Sequence, residues 1–281
     1  MNKPLVSIQW LKDNLNQPSL VVLDASVPKV GGGGNTHLDG KMIPGARFMD
    51  LKKDFSEAGA EFPNTFPTKI QFEKAARSLG INNEDTIVVY DREGIYSSPR
   101  AWWLFKSMGH ENVLVLDGGL PEWLKIGFAI EERQVSEDYP KGNFEANLME
   151  DAVKDYHFIK ENITTENCLV LDARSKGRFD GTAPEPREGL PSGHIPGSVN
   201  LPYQAVLNGN KFKPQSELKS IFDEVFSTEK ELVFSCGSGL TACIILLAAE
   251  LALPNKTAVY DGSWTEWASK EGENGLIDTT I

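Results

Sequence analysis

The chain has 281 residues, with 28 Lys and Arg against 40 Asp and Glu and a formal charge of −12. Hydrophobic residues make up 40% and charged residues 24%, which supplies two cores and excludes both a disordered and a collagen-like chain. The acidic balance argues against nucleic acid and anionic membranes, whose ligands show a basic footprint. In chain order, Met1 to Ser7 shows neither a signal-peptide apolar core nor an Arg-rich transit pattern. Short β-branched runs at 21–24, 86–90 and 113–117 predict strands buried on both faces. Gly31-Gly32-Gly33-Gly34 lacks a following Gly-Lys-Ser/Thr, so it is a flexible insertion and not a phosphate-binding loop. A helix is expected at about 71–79. Another is expected from Pro99 to Met108, with Pro at its first position and Gly109 closing it. The charged, aperiodic stretch from Glu131 to Asn147, carrying Pro140-Lys141-Gly142, predicts a linker. Strand runs return at 169–172, 232–235 and 257–260, with an aperiodic loop from Arg174 to Gly189 and a helix over 243–251. The longest uninterrupted apolar run, Ala242 to Ala249, is far short of the ~20 residues a membrane span needs.

Internal repetition organises this pattern. Val21-Val22-Leu23-Asp24-Ala25-Ser26 returns as Leu169-Val170-Leu171-Asp172-Ala173-Arg174, and Ile43-Pro44-Gly45-Ala46 as Ile195-Pro196-Gly197-Ser198. Thr86 to Asp91 is matched by Glu231 to Cys236, and Asp117-Gly118-Gly119 by Asp261-Gly262-Ser263. The order is kept, so the chain is two homologous halves and not a solenoid, whose repeats are only ~20–50 residues long. The expected division is a first domain over 1–132, a linker over 133–148 and a second domain over 149–281. Strand–helix alternation predicts an α/β fold in each, a mostly parallel sheet flanked by helices.

Ligands of open α/β sheets bind beyond the carboxyl ends of the strands. There the halves differ: Asp91 follows one strand, and Cys236-Gly237-Ser238-Gly239-Leu240-Thr241-Ala242 follows its counterpart. Two glycines let such a loop curl into a nest of amides, and the helix behind it adds its positive dipole end. Both favour a thiolate, so Cys236 is the expected nucleophile, with its pKa lowered and its sulfur held at the mouth of the amides. Cys168 precedes a strand and Cys243 sits in an apolar helix, so both are expected in the core. The three cysteines form no CxxC pair, and with four scattered histidines they offer no metal-ligand spacing. Neither a metal nor a cofactor is expected, and free thiols point to a reducing, cytoplasmic setting.

The loop from Cys236 to Ala242 resembles the active-site loop of the two-domain rhodanese-fold sulfurtransferases, nearest to the branch that uses 3-mercaptopyruvate. Ala101-Trp102-Trp103, both Ile-Pro-Gly blocks and Tyr260-Asp261-Gly262-Ser263-Trp264 extend the likeness over nearly the whole chain. The resemblance implies tandem rhodanese-like domains, a silent first and a catalytic second, and agrees with Asp91, which cannot carry sulfur. Thiosulfate-preferring relatives have basic residues after the cysteine, whereas Gly237 and Ser238 are neutral, which implies 3-mercaptopyruvate as donor. Sulfane sulfur would pass through a Cys236 persulfide to thioredoxin, a small thiol or cyanide, releasing pyruvate. Ser238 is the second expected catalytic residue, and Gly237, Gly239, Leu240 and Thr241 line the bound sulfur. By resemblance, Arg178 and Arg187 hold the donor's carboxylate and keto group, a task suited to guanidinium forks. Arg174 is expected to be a local ion-pair partner, and His194 to fix its loop by hydrogen bonding.

The first half departs from the family. Some members are thought to complete a Ser–His–Asp relay to the Cys loop, yet Arg47 to Ile70 contains no His, and the nearest matching positions are Lys52 and Asn64. Ser238 is then a simple hydrogen-bond donor, or protons move through solvent or the thiolate. Thiosulfate sulfurtransfer and a non-catalytic sulfur carrier are the alternatives. A Cys-dependent phosphatase is disfavoured, because Ala242 stands where its phosphate-binding Arg would be.

Overall fold

The computed structural model describes residues 4–133, 139–227, 229–272 and 275–279. It divides into two compact units, Met1–Gly59 with Phe66–Met149 and Gly209–Phe212, and Ala60–Thr65 with Glu150–Asn208 and Lys213–Ile281. Ala60–Thr65 thus packs with the second unit although it lies in the first half of the sequence. Part of the expected linker, residues 134–138, lies outside the described residues. The remainder is not a free tether. Phe144 is buried in the first unit against Phe72 and Phe105, and its carbonyl accepts from Arg77 Nε at 2.7 Å.

The main sheet of the first unit is built from five strands, β1 (Leu5–Val6), β2 (Leu20–Asp24), β3 (Arg47–Phe48), β4 (Thr86–Tyr90) and β5 (Val113–Leu116). Their order is β1-β5-β4-β2-β3, every pairing is parallel, and Leu20 lies opposite Thr86. A parallel sheet covered by helices buries both faces, which is why β4 reads Thr-Ile-Val-Val-Tyr without polar alternation. The expected helix after β4 runs over Ser98–Ser107 with Pro99 in its first turn, and Gly109 beyond it takes φ +82°. Lys69–Ser78 is capped by Thr68, whose hydroxyl accepts from Gln71 N at 3.2 Å. Val22, Val88, Tyr90, Leu116 and Trp123 form one core cluster of this unit.

The second unit repeats the plan with β6 (Val153–Lys154), β7 (Cys168–Asp172), β8 (Val199–Asn200), β9 (Glu231–Ser235) and β10 (Thr257–Tyr260). Their order is β8-β7-β9-β10-β6, again parallel throughout, with Cys168 opposite Glu231 and Asp172 opposite Ser235. Mapped through the repeats, the two orders are the same. The helix after β9 spans Ala242–Ala252, and its first eight residues are all buried, so it is apolar on every face. Trp264 and Trp267, fully buried, close the core with Val170, Val233 and Ala258. Losing a ring of that size costs about 3–5 kcal/mol.

Candidate active site

The carboxyl end of β9 delivers Cys236 into the turn before helix Ala242–Ala252. Its shape is fixed from behind by Ser263, whose hydroxyl accepts from Cys236 N at 3.2 Å and Gly239 N at 3.0 Å and donates to Tyr260 O at 2.9 Å. Ser263 is fully buried and takes φ +51°, a region unfavourable for a residue with a Cβ. Thr265 makes the next clamp. Its N–H and its hydroxyl both donate to Gly237 O, at 3.0 and 2.5 Å.

This corrects the sequence-based picture of the nest. Two of its amides, those of Cys236 and Gly239, are occupied by a serine hydroxyl and do not face the sulfur. The amides of Gly237, Ser238, Leu240 and Thr241 donate to no acceptor among the described residues. The two glycines serve different ends. Gly239 takes φ +74°, while Gly237 is needed for room: a Cβ there would lie 3.2 Å from Arg178 Nη2 and 3.7 Å from Arg187 Nη1.

Cys236 itself is 2% exposed. The expectation of a sulfur open at the loop mouth is therefore not met; Ser238, Gly239 and Leu240 beside it are buried too, and Gly237 and Thr241 are partly exposed. Cys168 and Cys243 are buried as expected. Burial, reinforced by Glu231, pushes the Cys168 thiol up to about 11, and Cys243 Sγ donates to Gly239 O at 3.3 Å.

The three arginines of the 174–189 loop separate clearly. Arg174 is 2% exposed and pairs with Asp172 at 2.6 Å and Glu185 at 2.7 Å. Arg178 donates from Nε and Nη2 to the two oxygens of Glu185, at 3.0 and 2.5 Å, so its charge is answered by a carboxylate that is itself 1% exposed. Arg187 differs. Its partners are neutral hydroxyls, Thr265 Oγ1 at 3.1 Å and Ser238 Oγ at 3.2 Å, and no carboxylate meets it among the described residues. Ser238, 7% exposed, also accepts from Asn64 Nδ2 at its hydroxyl, 2.9 Å, and its carbonyl, 3.0 Å. His194 stays out of the site: its Nδ1 lies 2.9 Å from Phe179 O and its ring stacks on Phe179 at 3.9 Å.

The structure therefore brings Cys236, Gly237, Ser238, Gly239, Arg178 and Arg187 to one loop, with Leu240 and Thr241 leading into the helix. Three contributors escape the sequence reading as part of this cluster, Glu185, Ser263 and Thr265, while Asn64, one of the two positions matched to the family's relay, is brought to Ser238. A signal for Ser263 is present in the sequence, since it stands where the first repeat has Gly119, and in the structure both take positive φ, +51° and +52°. Glu185 sits between Pro184 and Pro186, which conceals it as loop sequence. Among the described residues no cluster of His, Cys, Asp or Glu fits a metal ion, and no helix is long and apolar enough to cross a membrane.

A family model for the rhodanese-like domain matches residues 7–126 and 156–270. The chain is 40% identical over 285 residues to 3-mercaptopyruvate sulfurtransferase of Mus musculus, covering 98% of this chain and 95% of that protein. It is 38% identical over 292 residues to thiosulfate/3-mercaptopyruvate sulfurtransferase 1, mitochondrial, of Arabidopsis thaliana, covering 96% and 77%. The crystal structure of SseA from Escherichia coli superposes with a TM-score of 0.82 at 32% identity, covering 94% of this chain and 99% of that one. The two parallel five-stranded sheets, their shared order and the cysteine loop after β9 are the features of one family, and this chain belongs to the two-domain rhodanese-fold sulfurtransferases.

Proposed function

We propose that the protein transfers sulfur from 3-mercaptopyruvate to a thiol through a persulfide on Cys236. The observation that carries this reading is the convergence of two guanidinium groups over Gly237, one of them, Arg187, without a carboxylate partner among the described residues. An uncompensated cation beside a nucleophilic sulfur selects an anionic donor, and a planar fork suits an α-keto carboxylate. The Cys236 thiolate attacks the donor's sulfur, the carbon–sulfur bond breaks, and its electron pair leaves as the enolate of pyruvate. Arg187, with Arg178, stabilises the developing oxyanion. The proton of the donor's thiol ends on the enolate carbon, leaving pyruvate and an ionised persulfide with no net proton change. The amides of Gly237, Ser238, Leu240 and Thr241, together with the Thr241 hydroxyl, face the outer sulfur. A thiol such as thioredoxin or a small thiol then takes that sulfur and frees the Cys236 thiolate. In this reading the first unit is catalytically silent, and the free cysteines suit a reducing compartment such as the cytoplasm.

The test is mass spectrometry of the protein after donor alone. One added sulfur on Cys236, lost on adding a dithiol and absent in Cys236→Ser, is the expected result, with higher kcat/KM for 3-mercaptopyruvate than for thiosulfate. Because Cys236 is enclosed, iodoacetate must also reach it faster than it reaches Cys168 and Cys243. Equal rates for all three thiols, or turnover without a sulfur adduct, would refute the covalent step, and a thiosulfate preference would reassign the donor.

A further inference from the structure

The hydrogen bonds of Ser238 contain directional information. A serine hydroxyl has one hydrogen to give and two lone pairs that accept. Asn64 Nδ2 contacts both the carbonyl and the hydroxyl of Ser238, at 3.0 and 2.9 Å. The carbonyl oxygen can only accept, so the Asn64 atom facing it must be the nitrogen and not Oδ1, which fixes the amide's orientation. The second donor to the hydroxyl is Arg187 Nη2 at 3.2 Å, and a guanidinium accepts nothing. Both lone pairs of Ser238 Oγ are thus filled by groups that cannot take its proton. Among the described residues the hydroxyl has no acceptor of its own, so its hydrogen turns to whatever occupies the space beside the Cys236 loop. Asn64 holds this position with φ +61°, a left-handed conformation that Asn tolerates better than most side chains.

We infer that Asn64 is a positioning residue that, with Arg187, commits Ser238 to donate its hydrogen bond to the donor oxygen that becomes anionic as sulfur departs. The inference rests on the sulfurtransferase reading and adds to it which way the Ser238 proton points and what points it. Asn64 does not itself titrate, so this commitment holds at every working pH.

Substitutions at Asn64 separate this role from a structural one. Asn64→Asp keeps the shape but presents an acceptor, so the Ser238 hydroxyl turns to the new carboxylate and is lost to the donor. Asn64→Ala leaves one lone pair open and the hydroxyl free to rotate. At pH 8 kcat should fall about tenfold in Asn64→Ala, the worth of a hydrogen bond, and about 100-fold in Asn64→Asp, with KM moving less than kcat in both. The ratio of Asn64→Asp to unaltered kcat should climb as pH falls and the carboxylate takes up a proton, while the Asn64→Ala ratio stays flat. In a Ser238→Ala background, Asn64→Ala should cost no more than about twofold, since nothing is left to orient. An Asn64→Asp protein as active as Asn64→Ala, a flat ratio, or a full loss persisting without the serine overturns the inference. Should Asn64→Asp not fold, the Ser238→Ala cycle decides alone. Absence of sulfur loading on Cys236 in the unaltered protein overturns the sulfurtransferase reading and this inference together. Normal loading with any of the three adverse results overturns the inference only.

Discussion

The two units carry the same sheet order and the same strand–loop–helix turn, and differ in what fills that turn. After β4 the Asp91 carboxylate accepts from the amides of Glu93, Tyr96, Ser97 and Ser98 and from the Ser98 hydroxyl, at 2.6–3.0 Å. The first unit thus supplies its own anion to its own cradle. After β9 the side chain is a thiol, and the amides of Gly237, Ser238, Leu240 and Thr241 meet no acceptor among the described residues. A cradle that carries an internal carboxylate is finished as structure; one that does not is available to a ligand. Two further positions follow the same division. Gly119 becomes Ser263, which adds a hydroxyl that organises the loop, and Ser26 becomes Arg174, the first of three arginines in the loop that follows. The duplication preserved the frame and changed the groups that face the turn.

Arg187 is the position where the second unit's turn is most sensitive, since no carboxylate meets its guanidinium among the described residues. Arg187→Ala removes the uncompensated cation, and kcat/KM for the keto-acid donor should fall by about 10²–10³, the loss of one developing-charge contact of about 3–4 kcal/mol. Arg178→Ala should cost less, because its charge is already answered by Glu185, which keeps Arg174 as its partner. Steady-state kinetics of the two variants with a common acceptor checks the order, and equal losses would deny Arg187 its separate status.

Ser263 tests whether the loop is held from behind. Ser263→Ala leaves the buried amides of Cys236 and Gly239 without an acceptor, for a loss of about 3 kcal/mol at about 1–3 for each orphaned group. Ser263→Gly removes the same hydroxyl but also the cost of φ +51°, so it should be the more stable of the two by about 1 kcal/mol. Urea midpoints measure this order. Ser263→Gly at or below Ser263→Ala would mean that the backbone there is not under strain.

Much of the frame was legible in the sequence because parallel strands covered on both faces are written as unbroken apolar runs, as in Leu232-Val233-Phe234. The repeats then aligned each strand with its counterpart and exposed the exchange of Asp91 for Cys236. The partners of the site were less visible. Glu185 is one acidic residue among 40 Asp and Glu until the fold sets it between two guanidinium groups. Asn64 lies 174 residues from Ser238, and only the family resemblance, which matches it to a relay position, points from one to the other. The burial of Cys236 was also hidden, since glycines beside a cysteine suggest an open loop while their packing depends on residues such as Leu240 and Ser263 brought in by the chain's return.

Asp24 and Asp172 are equivalent residues at the ends of β2 and β7. Asp172 meets Arg174 through Nε and Nη2 at 2.9 and 2.6 Å, whereas the Asp24 carboxyl accepts from the hydroxyl and the amide of Ser26 and meets no cation in a hydrogen bond among the described residues. Burial raises the Asp24 carboxyl to about 6; Ser26 opposes the shift, Asp91 adds to it and Arg92 lowers it. In the unfolded chain the group ionises near 4, so between pH 4 and 6 the native state holds a proton that the unfolded state has released. Stability of the first unit must therefore fall as pH rises through that window, by about 1.4 kcal/mol per unit and about 3 kcal/mol in all. Asn cannot ionise, so Asp24→Asn should be free of this loss, and weaker acceptance from Ser26 takes back about 1 kcal/mol. The variant should thus be more stable than the unaltered protein by about 2 kcal/mol at pH 7 and lose that advantage by pH 4. Hydrogen exchange of the Val21 and Val22 amides reads the first unit's stability directly, and an advantage that did not shrink on acidification would show that the Asp24 carboxyl is ionised throughout.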